Sequence, residues 1–454
     1  MRKHTKLNLF DFTMIVVGLV IGMGIFRTPV IVAHAAYSPF LFFASWVAGG
    51  IIALCGALTY AEIGSRLPVT GAYYKIFSYC YHPSFAFSVN CLILVSNAAS
   101  LAGVGLIGAE YITGALFPAA ANAQTIEVAI AVASISLFYG INLMGLKMSA
   151  RAQNILTIVK ISMILLMIAP LFFASHAAAP VVVNHATIHL GTGAYLTSFG
   201  VGLVAVSFTY GGYQQTINFG ADVDRPGRTI PRGIFIGIFI IIALYLTINY
   251  AYVQVIGFDS LKNAKNIAAI MAAYVFGDAA GKILSVLLFL SVLAYVNVLL
   301  MSNPRVMYAM SEDGVLPAVF RKRNGRTDVL VNSLTAFAAT CVMIVFWARE
   351  FDLILSFSIF LDCIGMAFSA GTIFLLRKRG THPHGSSFYK MKLYPLQPLV
   401  FIAAYCFVAI SILVDKPRTA LTGLGVLTLF ILLYFLTRKK SDPARQTSEP
   451  DIQQ

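Results

Sequence analysis

The chain has 454 residues, of which 59% are hydrophobic and only 11% charged, with a mean hydropathy of +0.82. Soluble globular proteins carry about a quarter of their residues as charged, so this composition excludes that class and describes a polytopic membrane protein. The formal charge of +14 does not point to nucleic acid, because the basic residues punctuate the gaps between apolar runs and build no basic face.

Apolar runs of about 20 residues mark membrane crossings. Twelve are predicted, at residues 9–35, 39–63, 84–114, 125–143, 153–175, 194–221, 233–256, 281–310, 329–347, 353–376, 393–414 and 419–437. The first run is too long for the apolar stretch of a signal peptide and is followed at once by another, so it is expected to remain as a membrane helix. A cytoplasmic N-terminus (residues 1–8) collects Arg66, Lys75, Lys147, Arg151, Arg225, Arg228, Arg232, Arg305, Arg321 to Arg326 and Arg377 to Arg379 on the inner side. Only Lys262, Lys265, Lys282, Arg349, Lys416 and Arg418 then fall outside. That excess predicts a cell-membrane protein with both termini cytoplasmic. The polar tail, 441–454, has nothing to bury and is expected to be disordered.

The first span is interrupted in GLVIGMGIFRTP, Gly18 to Pro29, by Gly22 and Gly24. An unpaired backbone group in hydrocarbon costs several kcal/mol, so a break survives only where protein, water or a ligand satisfies it. Gly18 and Gly22 also form a GxxxG pair, the packing alternative. The sixth span carries a second interruption, Gly211-Gly212, followed by the polar Gln214, Gln215, Thr216 and Asn218. Five spans separate the two, the spacing of an inverted repeat. This predicts an all-α fold with one five-helix unit over 9–175, its inverted copy over 194–376, and two peripheral helices over 393–437. A half-helix starting at the first break directs free amides and a positive dipole end at the gap, with Met23, Gly24 and Ile25 as donors suited to a carboxylate.

Single charges inside the spans are informative. Lys160 lies nine residues past Arg151, roughly 13 Å into its helix, too deep for ready snorkelling. Glu62 reads as a cytoplasmic-side network partner of Arg66 or Lys75 in preference to a proton carrier, and is counted among the candidate coupling residues. Asp362 in the tenth span reads as a protonatable gate or as a hydrogen-bonded structural acid. Arg27 follows the first break and is placed to meet it or to attract an acidic side chain. The six cysteines lack metal-type spacing and read as core residues. His185 and His189 are four apart but lie in a stretch of small, β-branched and polar residues, so no metal is expected, and no cofactor. Neither HExxH nor GxSxG occurs, and no enzyme is expected.

Three motifs carry a resemblance. They are Gly22-Met23-Gly24-Ile25-Phe26 with Pro29; Tyr60-Ala61-Glu62-Ile63-Gly64 with Pro68, Gly71 and Tyr73; and Phe208-Thr209-Tyr210-Gly211-Gly212-Tyr213 followed by Asp222 and Arg225 to Arg232. Over about ten spans the chain resembles the amino acid-polyamine-organocation transporters, and within them the L-type amino acid transporter branch. The resemblance implies a LeuT-like core with broken helices 1 and 6. It implies that carbonyls of Val20, Ile21, Phe208, Thr209 and Gly211 receive a substrate ammonium, and that Phe208 closes the site from outside. Lys160 matches the lysine that replaces a sodium ion in such transporters, with Ser291 its partner on span 8. Asn297 matches a span-8 asparagine that contacts substrate. Met23 and Arg27 depart from the small and apolar residues common at their places.

Sodium-independent exchange or uptake of a neutral L-amino acid is thus expected, by a rocking bundle of spans 1, 2, 6 and 7. A proton-coupled amino acid or polyamine symporter and a non-transporting sensor of the same fold are the alternatives. Ala115 to Thr125 has no cysteine, where the animal heteromeric relatives bond a glycoprotein, so no disulfide-linked heavy chain is expected. The expected partners are an amino acid and lipids, with the protein a monomer or weak homodimer.

Overall fold

Local chemistry sets where the helices start. Asn8 accepts a hydrogen bond from the Asp11 amide while Asp11 bonds the Asn8 amide, a capping box that opens α1 (Leu9–Val20). Ser38 caps α3 (Pro39–Arg66) and His82 caps α5 (Pro83–Leu116), each with proline in the first turn, where its missing N–H costs nothing. Between these lie α2 (Gly24–Ala35) and the short α4 (Ala72–Cys80). The chain continues through α6 (Ala123–Leu143), α7 (Leu146–Ile168), α8 (Pro170–Phe173), α9 (Thr192–Thr209), α10 (Pro226–Ile256), α11 (Phe258–Lys262) and α12 (Ile267–Phe276). It ends with α13 (Ala280–Glu312), α14 (Val331–Phe346), α15 (Phe351–Lys378), α16 (Leu396–Asp415) and α17 (Pro417–Thr437).

The computed structural model describes residues 6–117, 122–173, 192–264, 267–346, 351–381, 387–415 and 417–437. His185, His189 and the tail 441–454 lie outside the described residues. Among the described residues there is no β-sheet, only isolated bridges pairing Leu7 with Val223 and Thr70 with Phe219. Among the described residues eight helices are long and apolar enough to cross a membrane, and α1 with α2, bent by 44°, makes a ninth if the pair is one span. Shorter apolar helices lie at Ile267–Phe276, Val331–Phe346 and Ala420–Leu436.

Three features differ from the sequence reading. The sixth span continues past its break as 3-10 turns at Tyr213–Asn218 and Gly220–Asp222, not as an apolar α-helix. The polar side chains there compete for the backbone, as when Gln214 Oε1 takes the Gly212 amide at 2.9 Å. A short, largely buried helix, α4, links the second and third spans. An apolar helix, α12, sits between the seventh and eighth; its ten residues reach about 15 Å, half a bilayer core.

The helices bury one large apolar core and, apart from it, a small cluster of Leu92, Phe360, Leu361 and Ala420. α13 lies along α5 and α7, α10 along α3 and α1, and α9 along α2 and α3. This brings the two interruptions, far apart in sequence, to the same place.

Candidate functional site

α1 stops at Val20 and its C-cap, Ile21, turns extended (φ −71°, ψ 98°). α2 restarts at Gly24 without a side-chain cap, so its first-turn amides are left facing the break. Nothing lies within 4 Å of a Cβ built on Gly22, whereas one on Gly24 would stand 3.2 Å from the Thr209 side chain. On the other strand of the site, α9 ends at Thr209 and Gly212 takes a left-handed φ of +115°. A Cβ there would collide with the Leu19 carbonyl, so glycine is required both for the turn and for the approach of the two breaks.

The ends are stitched by polar contacts. Lys160, fully buried on α7, donates from Nζ to Ile21 O at 2.5 Å. The Tyr245 hydroxyl on α10 stands 3.4 Å from Val20 O and 3.5 Å from Thr209 O, one carbonyl from each break. The Thr209 hydroxyl lies 2.7 Å from that of Thr28. Phe208 O accepts from the Gly211 amide at 3.2 Å. Met23 and Ile25 are buried beside the break, while Arg27 is exposed. Phe208 is 51% exposed, an aromatic standing open next to the second break.

The remaining expected residues divide. Ser291 is buried on α13, but among the described residues Lys160 meets Ile21 and not Ser291. Asn297 lies on the same helix with both of its amide hydrogens engaged elsewhere. Its Nδ2 donates to Gln153 Oε1 at 2.9 Å and Ser149 O at 3.1 Å, and its Oδ1 accepts from Asn142 at 3.0 Å. It therefore holds α6, α7 and α13 together and has no hydrogen left for substrate. Asp362 on α15 is half-buried and an electrostatic neighbour of the Tyr73, Tyr295 and Tyr405 hydroxyls.

Glu62 sits apart from the breaks. Its carboxylate is fully buried and accepts from Arg66 Nε at 2.8 Å, from Arg377 Nε at 2.9 Å and Nη2 at 2.6 Å, and from the Met391 amide at 2.8 Å. Arg66 is thus its partner as expected; Lys75 instead pairs with Asp313 at 2.6 Å and Glu312 at 3.3 Å. Burial, and after it the Glu62 carboxylate, pushes the nearby Tyr389 phenol above its ordinary pKa.

Sequence reasoning missed Tyr245, which is one of five aromatics on α10, with Phe235, Phe239, Tyr250 and Tyr252, and signals nothing until the fold aims its hydroxyl. It also missed a second polar knot just past the second break, where Asn97 bonds Asn303 at 2.7 Å and Gln215 at 3.4 Å. Isolated amides within apolar runs were the available signal for that one.

Removing the Tyr245 hydroxyl tests how much these two carbonyls depend on it. Bonds of 3.4 and 3.5 Å are long, and a neutral hydrogen bond contributes about 0.5–1.5 kcal/mol. Tyr245→Phe is expected to shift the apparent KM for a transported amino acid by no more than about tenfold, measured by initial-rate uptake.

The comparisons with known proteins place the chain in a family. A family model described as amino acid permease matches residues 7–436. The serine/threonine exchanger SteT of Bacillus subtilis (strain 168) is 28% identical over 426 residues, covering 92% of this chain and 93% of that protein. The Homo sapiens cystine/glutamate transporter is 24% identical over 94% of this chain and 85% of its own length. The Homo sapiens large neutral amino acids transporter small subunit 2 is 24% identical over 95% of this chain and 80% of its own. The chain therefore belongs to the amino acid permease family, within the amino acid-polyamine-organocation superfamily.

Proposed function

We propose that this protein is a secondary transporter that moves a neutral L-amino acid across the cell membrane without sodium, by exchange or uptake, through alternating access. The observation that carries the reading is the meeting of two helix breaks, with Lys160 bonded to Ile21 O at 2.5 Å. The amides of α2 offer a carboxylate site and the carbonyls of Val20, Thr209 and Gly211 an ammonium site, so both charges of a zwitterion are met by backbone. A fixed ammonium on the first break does the electrostatic work of a cation there, which supports sodium independence. The serine and threonine in the name of the Bacillus subtilis relative favour a small substrate. Twelve crossings, two inverted five-helix units and cytoplasmic termini are part of the same reading, as is action without a disulfide-linked partner, as a monomer or weak homodimer. It is a transport function and not an enzymatic one.

Proton symport is the second reading, favoured by Asp362: an ionisable group within a membrane helix is a functional candidate by default. Uptake of a radiolabelled neutral amino acid into proteoliposomes tests both. The expected result is flux that is unchanged when sodium is replaced by potassium or choline. Flux that requires a sodium gradient would refute the assignment of Lys160, and flux driven by an imposed pH gradient would select the symporter. Binding without flux would make the protein a sensor.

A further inference from the structure

On the side of the molecule that carries the basic loops lies a cavity of about 1000 Å³. Its charged lining converges from separate segments: Lys6 ahead of α1, Asp222 after the second break, Lys147 at the start of α7, Arg305 on α13, and Arg323, Arg326 and Asp328 between α13 and α14. Five of these seven charges are basic. Each acid already engages an arginine, Asp222 with Arg305 Nε at 2.6 Å and Asp328 with Arg323 Nη1 at 3.1 Å. Lys6 Nζ rests on a neutral acceptor, Ala221 O, at 2.5 Å. Lys147 and Arg326 are exposed and belong to none of the ion pairs found among the described residues.

The loop that carries Arg323 and Arg326 is held in place. Asn324 Oδ1 accepts from the Arg326 and Thr327 amides at 2.8 and 3.2 Å, the Asn324 amide donates to Val329 O, and the Asp328 amide to Asn324 O, each at 2.9 Å. Arg323 also reaches Thr70 Oγ1 at 3.4 Å. The positive-inside bias accounts for basic residues on this side; it does not account for their convergence on one concavity of small-molecule size. A cleft of one sign with low-dielectric walls concentrates the opposite charge. Lysine and arginine approaching from several directions suit a group with several anionic oxygens, which phosphate supplies.

We propose that this cavity is a binding site for a phosphate-bearing anion, separate from the helix breaks. Its walls come from two sides: Lys6 and Asp222 flank the interrupted spans, while Lys147, Arg305 and Arg326 belong to α7, α13 and the loop after α13. An anion held by both sides bridges them, so it stabilises this conformation. On the transport reading above, it therefore slows the cycle from the cytoplasmic face.

The test uses the full-length purified protein and a double variant, Lys147→Ala with Arg326→Ala, with unfolding midpoint as the readout. Inorganic phosphate is titrated against chloride at equal ionic strength, and the protein is also compared in vesicles of phosphatidylcholine alone and with phosphatidylglycerol. Phosphate is expected to raise the wild-type midpoint, with about tenfold weaker apparent affinity in the double variant. Stabilisation seen only with phosphatidylglycerol, and lost in the variant, identifies a lipid headgroup as the source of the phosphate. No response of the wild type to either, or an equal response of wild type and variant, overturns the proposal. If the double variant does not fold, Lys147→Gln, which leaves every hydrogen bond named above in place, is measured in its stead and judged by the same outcomes. Unfolding is read without flux, so a negative result here leaves the transport assignment standing.

Discussion

Lys160→Ala is expected to slow amino acid flux by about 10- to 100-fold while the protein still folds and inserts. The magnitude follows from losing a hydrogen bond with a charged donor, about 1.5–3 kcal/mol, at the point where the first span is interrupted. The lysine is fully buried, and Ile21 O receives its ammonium at 2.5 Å. Without it, the carbonyl has to find water or bend the break, and the positive charge beside the α2 amides is gone. Lys160→Met separates the two contributions, since it keeps the bulk and removes the charge. The check is initial-rate uptake in proteoliposomes with expression and thermal unfolding monitored in parallel. Near-normal kinetics in both variants would remove Lys160 from the transport machinery.

Glu62→Ala is expected to strike stability first, lowering it by about 3–5 kcal/mol, because breaking a buried ion pair from one side strands the other partners. Here the stranded groups are the Arg66 and Arg377 guanidinium groups and the Met391 amide, all of which converge on one buried carboxylate. Arg377 also lies over the Tyr394 ring at 3.7 Å, so it cannot turn to solvent without giving up a second contact. Glu62→Gln keeps the shape and loses only the charge, and it should fall between wild type and Ala. Unfolding midpoints of the three proteins in one detergent test the ranking. A Glu62→Ala midpoint equal to wild type would mean that water already shares the load at this cluster.

How far the site was legible in the sequence depended on distance along the chain. The glycine breaks were readable because Gly22, Gly24, Gly211 and Gly212 interrupt long apolar runs, although only Gly212 takes a left-handed φ and Gly22 has open space around it. Lys160 was readable because a charge so deep in a span needs a reason. Glu62 with Arg66 was readable as neighbours one helical turn apart, but Arg377, 315 residues away, was not. Asn297 shows the converse. Resemblance located the residue, yet its partners Asn142, Ser149 and Gln153 come from other helices, and only the fold shows that they use up its amide. α4 and α12 escaped because a nine-residue amphipathic stretch and a ten-residue apolar one are both too short to register as crossings. The 3-10 continuation of the sixth span escaped because its polar side chains gave no periodicity to read.

Beside the hydroxyl bonds from Tyr73 to Ser369 and between Tyr79 and Thr381, α4 has two unlike ties. On one side the Tyr73 amide bonds Asn218 Oδ1 at 3.0 Å, and the Gly71 amide bonds Asn218 O at the same distance, anchoring the helix to the segment after the second break. On the other, Lys75 and Ser78 meet Asp313 at the end of α13 through partly exposed groups. Pairs near the surface are worth about 0–1 kcal/mol each, whereas removing one partner of a buried pair such as Glu62 costs about 3–5 kcal/mol. α4 is thus held by buried backbone bonds to the segment after the second break and by groups that salt can screen to the end of α13.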